Sequence, residues 1–170
     1  MNDERLGTIT PSYTIAFKRA SRHSPARLWR AITTGSEVSA WMGYPAKVDL
    51  RVGGGWFVDF SRTGGGELRG VIIRIEPEQV LTYADNLSVI EWRIEAAGEG
   101  CRYSFVQSGL PDRGDGEEVL CAGWHAFLDQ FEGYLDGATP GSDDEDPQWE
   151  RLKSFYKEQL GLALPSRGVR

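Results

Sequence analysis

The stretch EEVLCAGWHAFLDQFEGYLD, residues Glu117 to Asp136, predicts a long helix around which the rest of the chain is organised. Its large apolar residues recur at spacings of three and four, which places them on one broad stripe of an α-helix. Roughly nineteen residues at about 1.5 Å each give a helix nearly as long as a small domain is wide. Gly137 and Pro140 then supply a C-terminal stop. We expect the strands upstream to cover this stripe, which consists of Leu120, Trp124, Phe127, Leu128, Phe131, Tyr134 and Leu135.

Length and composition predict one globular domain with a substantial core. The chain has 170 residues, of which 40% are hydrophobic and 26% charged, as is ordinary for globular proteins. A net charge of −6 and a pI near 5.0 disfavour binding to nucleic-acid phosphates. The apolar runs are too short for a spanning helix, and the charged start MNDERLGT is unlike a signal peptide. We therefore expect a cytoplasmic protein with no nucleic-acid partner and no membrane span.

Few residues offer catalytic or metal-binding chemistry. Cys101 and Cys121 lie too far from any His or Cys pair to predict a metal site or a disulfide, so we expect two buried thiols. The glycines at 53–55 lack the strand-to-helix context of a phosphate loop. His125 lies one position off the centre of the stripe, where it either edges a cavity or points to solvent. We therefore assign no catalytic residue, no metal and no cofactor.

Two short helices are predicted between the first and second strands. Ser24 followed by Pro25 is an N-cap with proline at the first helical position, which begins a helix that runs to Thr33. A second short helix begins at Ser36 and ends near Gly43.

The strands form an antiparallel meander, because short turns rich in glycine, aspartate and asparagine join them. The clearest alternation is IEWRIE, which puts Ile90, Trp92 and Ile94 on one face and charged residues on the other. One face of the sheet is thus expected to be covered and the other to be wet. Seven strands are predicted: Tyr13 to Ala20, Lys47 to Leu50, Gly55 to Ser61, Glu67 to Ile75, Gln79 to Ala84, Val89 to Ala96 and Arg102 to Ser108.

The C-terminal part predicts a further helix after an acidic linker at residues 141–146. Pro147 begins this helix, whose apolar side consists of Trp149, Leu152, Phe155, Tyr156 and Leu160. The helix is expected to dock either on its own domain, over Phe57 on the outer sheet face, or on a second subunit. We slightly favour the second subunit, since the outer face is otherwise charged. The chain thus divides into a domain at residues 1–140 and an accessory segment at residues 141–170.

Many aromatic side chains are expected to point between the sheet and the long helix. Such rings either fill the space or line a pocket for a flat or oily ligand. Gln107 and the hydroxyls of Tyr83 and Tyr103 are the candidate polar anchors. The predicted lining residues are Trp41, Trp56, Phe60, Trp92, Tyr103, Phe105, Gln107, Trp124, Leu128 and Phe131.

The order of these elements, with four stretches of sequence, resembles the family related to the activator of Hsp90 ATPase, within the START and Bet v 1 superfamily. The stretches are RHSPARLWRAITTGSEVSAWM, DLRVGGGWFVDF, GVIIRIEPEQVLTY and GWHAFLDQFEGYL, and they cover about Tyr13 to Gly137. The resemblance implies an α+β helix-grip (Bet v 1-like) fold, in which a seven-stranded curved antiparallel sheet and a long helix enclose a deep cavity. Gln107-Ser108-Gly109 stands where many members carry His-Ser-Gly, which weakens any acid–base role there.

Three functions follow as hypotheses. The leading one is a binding protein for a small hydrophobic or aromatic molecule, because aromatic residues line the sheet and helix and no catalytic spacing appears; the resemblance also implies a binding module more often than an enzyme. A cavity enzyme acting on an aromatic or polyketide-type substrate would require a polar residue inside the cavity, and a buried and hydrogen-bonded His125 or Tyr103 would favour it. An Hsp90-type co-chaperone or stress-response protein would instead use the outer surface. The resemblance also implies a possible homodimer.

Overall fold

A computed structural model describes residues 5–10, 14–85, 87–110, 117–139 and 147–163, which form one antiparallel sheet with helices packed on it. The predicted α+β helix-grip architecture is confirmed. The strands are β1 (Thr8–Thr10), β2 (Thr14–Ser21), β3 (Ala46–Val48), β4 (Gly55–Asp59), β5 (Glu67–Glu76), β6 (Val80–Ala84), β7 (Val89–Ala97) and β8 (Gly100–Ser108). The helices are α1 (Pro25–Thr33), α2 (Gly35–Met42), α3 (Glu117–Leu135) and α4 (Pro147–Ala163).

The strand order is β1-β2-β8-β7-β6-β5-β4-β3, and every neighbouring pair is antiparallel. Strands β3 to β8 form the predicted meander, and β2 joins it beside β8. All seven predicted strands are present, although Tyr13 lies outside the described residues. The edge strand β1 was missed, because a segment as short as Thr8–Thr10 has too few residues to show an alternating pattern.

Local signals set the ends of the two short helices as predicted. The Ser24 side chain accepts a hydrogen bond from the Arg27 backbone N–H at 3.2 Å, and Pro25 occupies the first helical position. Gly43 ends α2 with φ at +75°, a left-handed conformation that glycine adopts without steric cost. The two helices thereby place Trp41 against the core.

Helix α3 lies across the inner face of the sheet, where the apolar stripe contacts the rings of the strands. The ring centroids of Trp124 and Phe105 are 4.2 Å apart, and those of Phe131 and Trp92 are 5.6 Å apart. The long helix and its packing face are therefore confirmed.

A glycine in β5 allows close packing of a ring in the sheet layer. A Cβ on Gly70 would lie only 2.6 Å from the Tyr83 ring, so no larger residue fits there without a shift. Tyr83 is thereby able to stack on Trp56, with ring centroids 4.6 Å apart and planes within 10°.

Helix α4 docks on its own chain, against α3 and β1. Leu152 and Tyr156 are buried, and the Tyr156 hydroxyl accepts the Gly7 backbone N–H at 2.9 Å. The structure therefore shows neither the favoured crossing to a second subunit nor docking over Phe57. That ring lies instead beneath the Arg69 guanidinium on the outer face, at 4.7 Å. The predicted acidic linker and the Pro140 stop lie outside the described residues.

Two expectations about the chain as a whole are met within the described residues. Cys101 and Cys121 are both buried free thiols. None of the described helices is at once long enough and apolar enough to cross a membrane.

Candidate functional site

Aromatic side chains fill the middle of the space between sheet and helix. Trp92 lies at the centre of this cluster, with ring centroids 5.1 Å from Phe105, 6.1 Å from Tyr103 and 6.3 Å from Trp41. Seven of the ten predicted lining residues are packed in this part of the core: Trp41, Trp56, Trp92, Tyr103, Phe105, Leu128 and Phe131. The rings here act first as core, and their part in ligand binding stays a prediction.

An open cleft of about 480 Å³ lies between the sheet and α3, at one end of the aromatic cluster, and we call it the helix–sheet cleft. It lies where β4, β6 and β8 end, where β5 and β7 begin, and against the first three turns of α3. The predicted residues Phe60, Gln107 and Trp124 line it. The full lining is Phe60, Gly65, Glu67, Leu68, Asp85, Leu87, Ser88, Gln107, Leu110, Val119, Leu120, Gly123, Trp124 and Phe127.

A directed chain of hydrogen bonds runs along the wall of the helix–sheet cleft. The Trp124 indole N–H, which is only a donor, bonds Gln107 Oε1 at 2.7 Å and thereby fixes the orientation of the amide. Gln107 Nε2 then donates to Ser88 Oγ at 2.9 Å, and Ser88 Oγ donates to Asp85 Oδ1 at 3.2 Å. Gln107 and Ser88 are buried. These hydrogen bonds hold the polar side chains in fixed orientations at the cleft.

Asp85 also fixes the turn between β6 and β7. Its Oδ1 accepts the backbone N–H groups of Leu87 at 2.7 Å and Ser88 at 2.6 Å. The carboxylate is thus held at the rim by three bonds to one oxygen. The side chains of Leu87 and Val119, which also line the cleft, are 51% and 44% exposed and leave apolar surface at the rim.

Glycine at position 123 keeps the cleft open on the α3 side. A Cβ there would meet no described atom within 4 Å beyond its own helix, so packing does not demand a glycine. Glycine inside a helix costs about 1 kcal/mol relative to alanine. The helix therefore gives up stability at the position where a side chain would occupy the cleft.

Of the other candidate anchors, Tyr83 lies within the core. Its hydroxyl and the Trp92 indole N–H are buried, and neither makes a hydrogen bond of standard geometry with a described residue. Burial raises the pKa of the Tyr83 hydroxyl, and the neighbouring Trp92 N–H partly offsets that increase. Unpaired buried groups of this kind are costly. The Tyr83 hydroxyl and the Trp92 N–H are thus two buried polar groups within the aromatic cluster.

The opposite side of α3 carries a buried polar network that the sequence did not reveal. His125 was expected at a cavity rim or in solvent, but it is only 3% exposed because α4 covers it. Its Nδ1 lies 2.7 Å from the Tyr156 hydroxyl, and its Nε2 lies 3.5 Å from Asp129. Burial alone would raise the pKa of Asp129, but the hydrogen bond from His125 and the charge of Arg19 outweigh it and lower that pKa. The expectation of a rim histidine was wrong.

Tyr103 belongs to the same network. Its hydroxyl donates to Glu132 at 2.7 Å, and Glu132 also lies 3.3 Å from the buried Arg19 guanidinium. Burial and the charge of Glu132 raise the pKa of Tyr103 well above its usual value. His125 and Tyr103 are thus both buried and hydrogen-bonded, but neither lines the helix–sheet cleft. Their burial and hydrogen bonding are the features expected to favour a cavity enzyme, but they lie away from the cleft, so that function stays a prediction.

A second depression, of about 470 Å³, lies on the outer face of β2, β8 and β7. Its floor contains the small residues Ala20 and Ser104, and the cations Lys18, Arg93 and Arg102 surround them. The cross-strand register places Ser104 directly between Lys18 and Arg93. We call this surface the basic outer groove.

Much of the helix–sheet cleft could not be recognised in the sequence, because its lining comes from five strand ends and one helix. Leu68, Asp85 and Ser88 show no shared periodicity, and only their closeness in the fold brings them together. The usable signal was Gly123, a glycine in the middle of a strongly periodic helix without a nearby cap.

Comparison with known proteins agrees with this architecture. A family model described as "Activator of Hsp90 ATPase homolog 1-like protein" matches residues 22–136. No match is found among the curated proteins.

Solved structures show the same fold at low sequence identity. A conserved protein of unknown function, EF2215 from Enterococcus faecalis, is 18% identical with a TM-score of 0.74, and the match covers 94% of this chain and 92% of that one. CalU16 from Micromonospora echinospora is 20% identical with a TM-score of 0.68, covering 93% and 94%. The Aha1 dimer from Colwellia psychrerythraea is 18% identical with a TM-score of 0.64, covering 72% and 95%. The two matches above 90% extend into the residues of α4, because each leaves out fewer residues of this chain than that helix contains.

Proposed function

Because the chain belongs to the family of Activator of Hsp90 ATPase homolog 1-like proteins, we propose that it binds a small molecule with an apolar or aromatic body in the helix–sheet cleft. The ligand lies between the first turns of α3 and the ends of the strands. The volume of about 480 Å³ is within the range of small-molecule sites. A few polar groups at one side of an otherwise apolar lining are also typical of such sites.

The observation that carries this proposal is Gly123. Its missing side chain leaves space that the fold itself does not use, since a Cβ there would meet no described atom within 4 Å beyond its own helix. The rings of Phe60, Trp124 and Phe127 line the same space, with Phe127 centroids 6.0 Å from Phe60 and 5.9 Å from Trp124. A ligand placed here also covers the exposed rim residues Leu87 and Val119. Burial of that apolar area is the main driving force for binding.

The proposal is tested by filling the cleft from α3. Gly123→Phe should place a ring in the ligand's space, while a helix interior tolerates phenylalanine better than glycine. We expect this variant to keep or raise its melting temperature and to bind at least about tenfold more weakly, a change of roughly 1.4 kcal/mol. Isothermal titration calorimetry with a panel of aryl and alkyl amphiphiles provides the measurement.

Gly133→Ala is the matched control, because it raises helix propensity in the same helix away from the cleft. Its Cβ would lie 3.7 Å from Ala138, an ordinary contact. The control should bind like the wild-type chain. Equal binding by wild type and Gly123→Phe, or no binding by any panel member, would overturn the proposal. A co-chaperone role, which would use the outer surface, stays a prediction.

A further inference from the structure

The charged side chains among the described residues that line the helix–sheet cleft are all acidic. We infer that the cleft selects ligands that carry a positive charge on an apolar body, such as an aryl-alkyl ammonium, over neutral or anionic molecules of the same shape. This inference rests on the proposed function, since it names the class of ligand for the same site. The described lining residues include the carboxylates Asp85 and Glu67 and no basic side chain.

Asp85 is the carboxylate that carries the selection. No described lysine, arginine or histidine forms an ion pair with it, so its negative charge is not compensated within the described part of the chain. The three bonds to its Oδ1 hold it at the rim, next to the exposed Leu87. A fixed and uncompensated carboxylate beside apolar walls is a partner for an ammonium group, because the low polarity of the walls strengthens the attraction.

Glu67 contributes less, because Arg69 already neutralises it. Arg69 Nε lies 2.6 Å from Glu67 Oε2, and the same guanidinium also packs on Phe57 at the outer face. The ion pair thus draws Glu67 toward the outer surface. The difference between the two acids makes Asp85 the residue to change.

The aromatic lining favours a cation as well. The ring centroid of Phe127 lies 6.0 Å from that of Phe60 and 5.9 Å from that of Trp124. The face of an aromatic ring is negative, so a cation within about 6 Å of such rings is attracted, and more strongly when water is excluded. An ammonium group reaching past the rim therefore meets negative charge from both the rings and Asp85.

The rest of the molecule acts in the same direction. The net charge of −6 raises the local concentration of cations near the chain. The basic outer groove lies on the opposite face of the sheet, where Lys18, Arg93 and Arg102 outnumber the acid Glu95 and Arg93 is paired with Glu91 at 2.6 Å. Lys18 and Arg102 form no ion pair with a described residue.

The test compares three probes of one shape: 4-phenylbutylammonium, 4-phenylbutanol and 4-phenylbutyrate. Their dissociation constants are measured by calorimetry for the full-length wild type, Asp85→Asn and Glu76→Gln. Asparagine keeps the side-chain oxygen that the turn requires, and unchanged melting temperature verifies that it does. Glu76 lies at the far end of β5 from Glu67, so Glu76→Gln removes one charge away from the cleft.

We expect the ammonium to bind wild type at least about five-fold more tightly than the alcohol, with the carboxylate weakest. Asp85→Asn should remove most of that preference and leave the alcohol unchanged, while Glu76→Gln should behave like wild type. Raising NaCl from about 20 to about 500 mM should weaken only the ammonium. If the alcohol binds as tightly as the ammonium and Gly123→Phe blocks both, the cleft binds ligands but charge does not select them. If no probe binds and the panel also fails, the proposed function falls together with this inference.

Discussion

Trp124 joins the helix–sheet cleft to the core through a single side chain. One side of its ring packs on Phe105 at 4.2 Å, and its N–H bonds Gln107 at 2.7 Å. At 5% exposure it is nearly as buried as the residues of the aromatic cluster. Its loss should therefore affect stability and ligand binding together.

Trp124→Ala is expected to lower the free energy of unfolding by about 3 to 5 kcal/mol, as is typical of truncating a buried tryptophan. Urea denaturation followed by circular dichroism gives the value. Trp124→Phe is the matched variant, because it keeps a ring but removes the hydrogen bond to Gln107 and part of the ring volume, for which we expect about 1 to 3 kcal/mol. A loss below about 1 kcal/mol for the alanine variant would show that the ring does not support the core.

His125 is the residue where sequence interpretation was misled. The stripe on α3 correctly predicted burial of Leu128 and Phe131, but it predicted nothing about the other side of the helix. That side is covered by α4, whose Tyr156 forms a hydrogen bond with His125 although it lies 31 residues further along the chain. A contact with an element that follows a linker leaves no periodic trace in α3 itself. Because His125 is buried, its substitution is expected to change stability and would not be a neutral control for variants of the cleft.

At the scale of elements, local chemistry predicted most boundaries. Helix α1 began at Pro25 and ended at Thr33 as expected from its cap, and the turns placed each strand of the meander within a few residues. The docking site of α4 was not predictable in the same way. Its apolar side indicated that it must be buried, but no residue pattern indicates which surface covers it.

Deleting α4 tests its role as an element. A chain ending at residue 139 loses the buried side chains Leu152 and Tyr156 and uncovers His125. Since the family model matches only residues 22–136, we expect the shortened chain to fold. Its free energy of unfolding should fall by at least about 3 kcal/mol, from two buried side chains at about 1.5 to 3 kcal/mol each.

The control for this deletion is Lys157→Ala on the exposed side of α4, which should leave stability unchanged. Because α4 docks on its own chain, sedimentation equilibrium should give the same oligomeric state with and without it. Conversion of a dimer to a monomer on deletion would show that α4 crosses between subunits. A homodimer formed through another surface stays a prediction.

At the scale of the whole molecule, the alternation of large aromatic residues predicted an aromatic layer between the sheet and α3, but it did not predict the position of the helix–sheet cleft. Ten residues were expected to line one deep cavity, whereas seven of them are buried in the packed core and only Phe60, Gln107 and Trp124 of the ten reach the helix–sheet cleft. Alternation shows which face a residue occupies, but packing between faces depends on ring orientation and on small residues such as Gly70 and Gly123. The open volume inside a fold therefore depends on its glycines as much as on its large side chains.

The most direct test of the central claim is to map the binding site by NMR. The ¹⁵N-labelled full-length chain is titrated with 4-phenylbutylammonium, and the amide and indole N–H signals are followed to saturation. We predict that the largest shifts occur at Gln107, Gly123 and the Trp124 indole, with smaller shifts at Ser88 and its turn. Shifts concentrated in the basic outer groove or along α4, or the absence of saturable shifts at the cleft, would contradict the account.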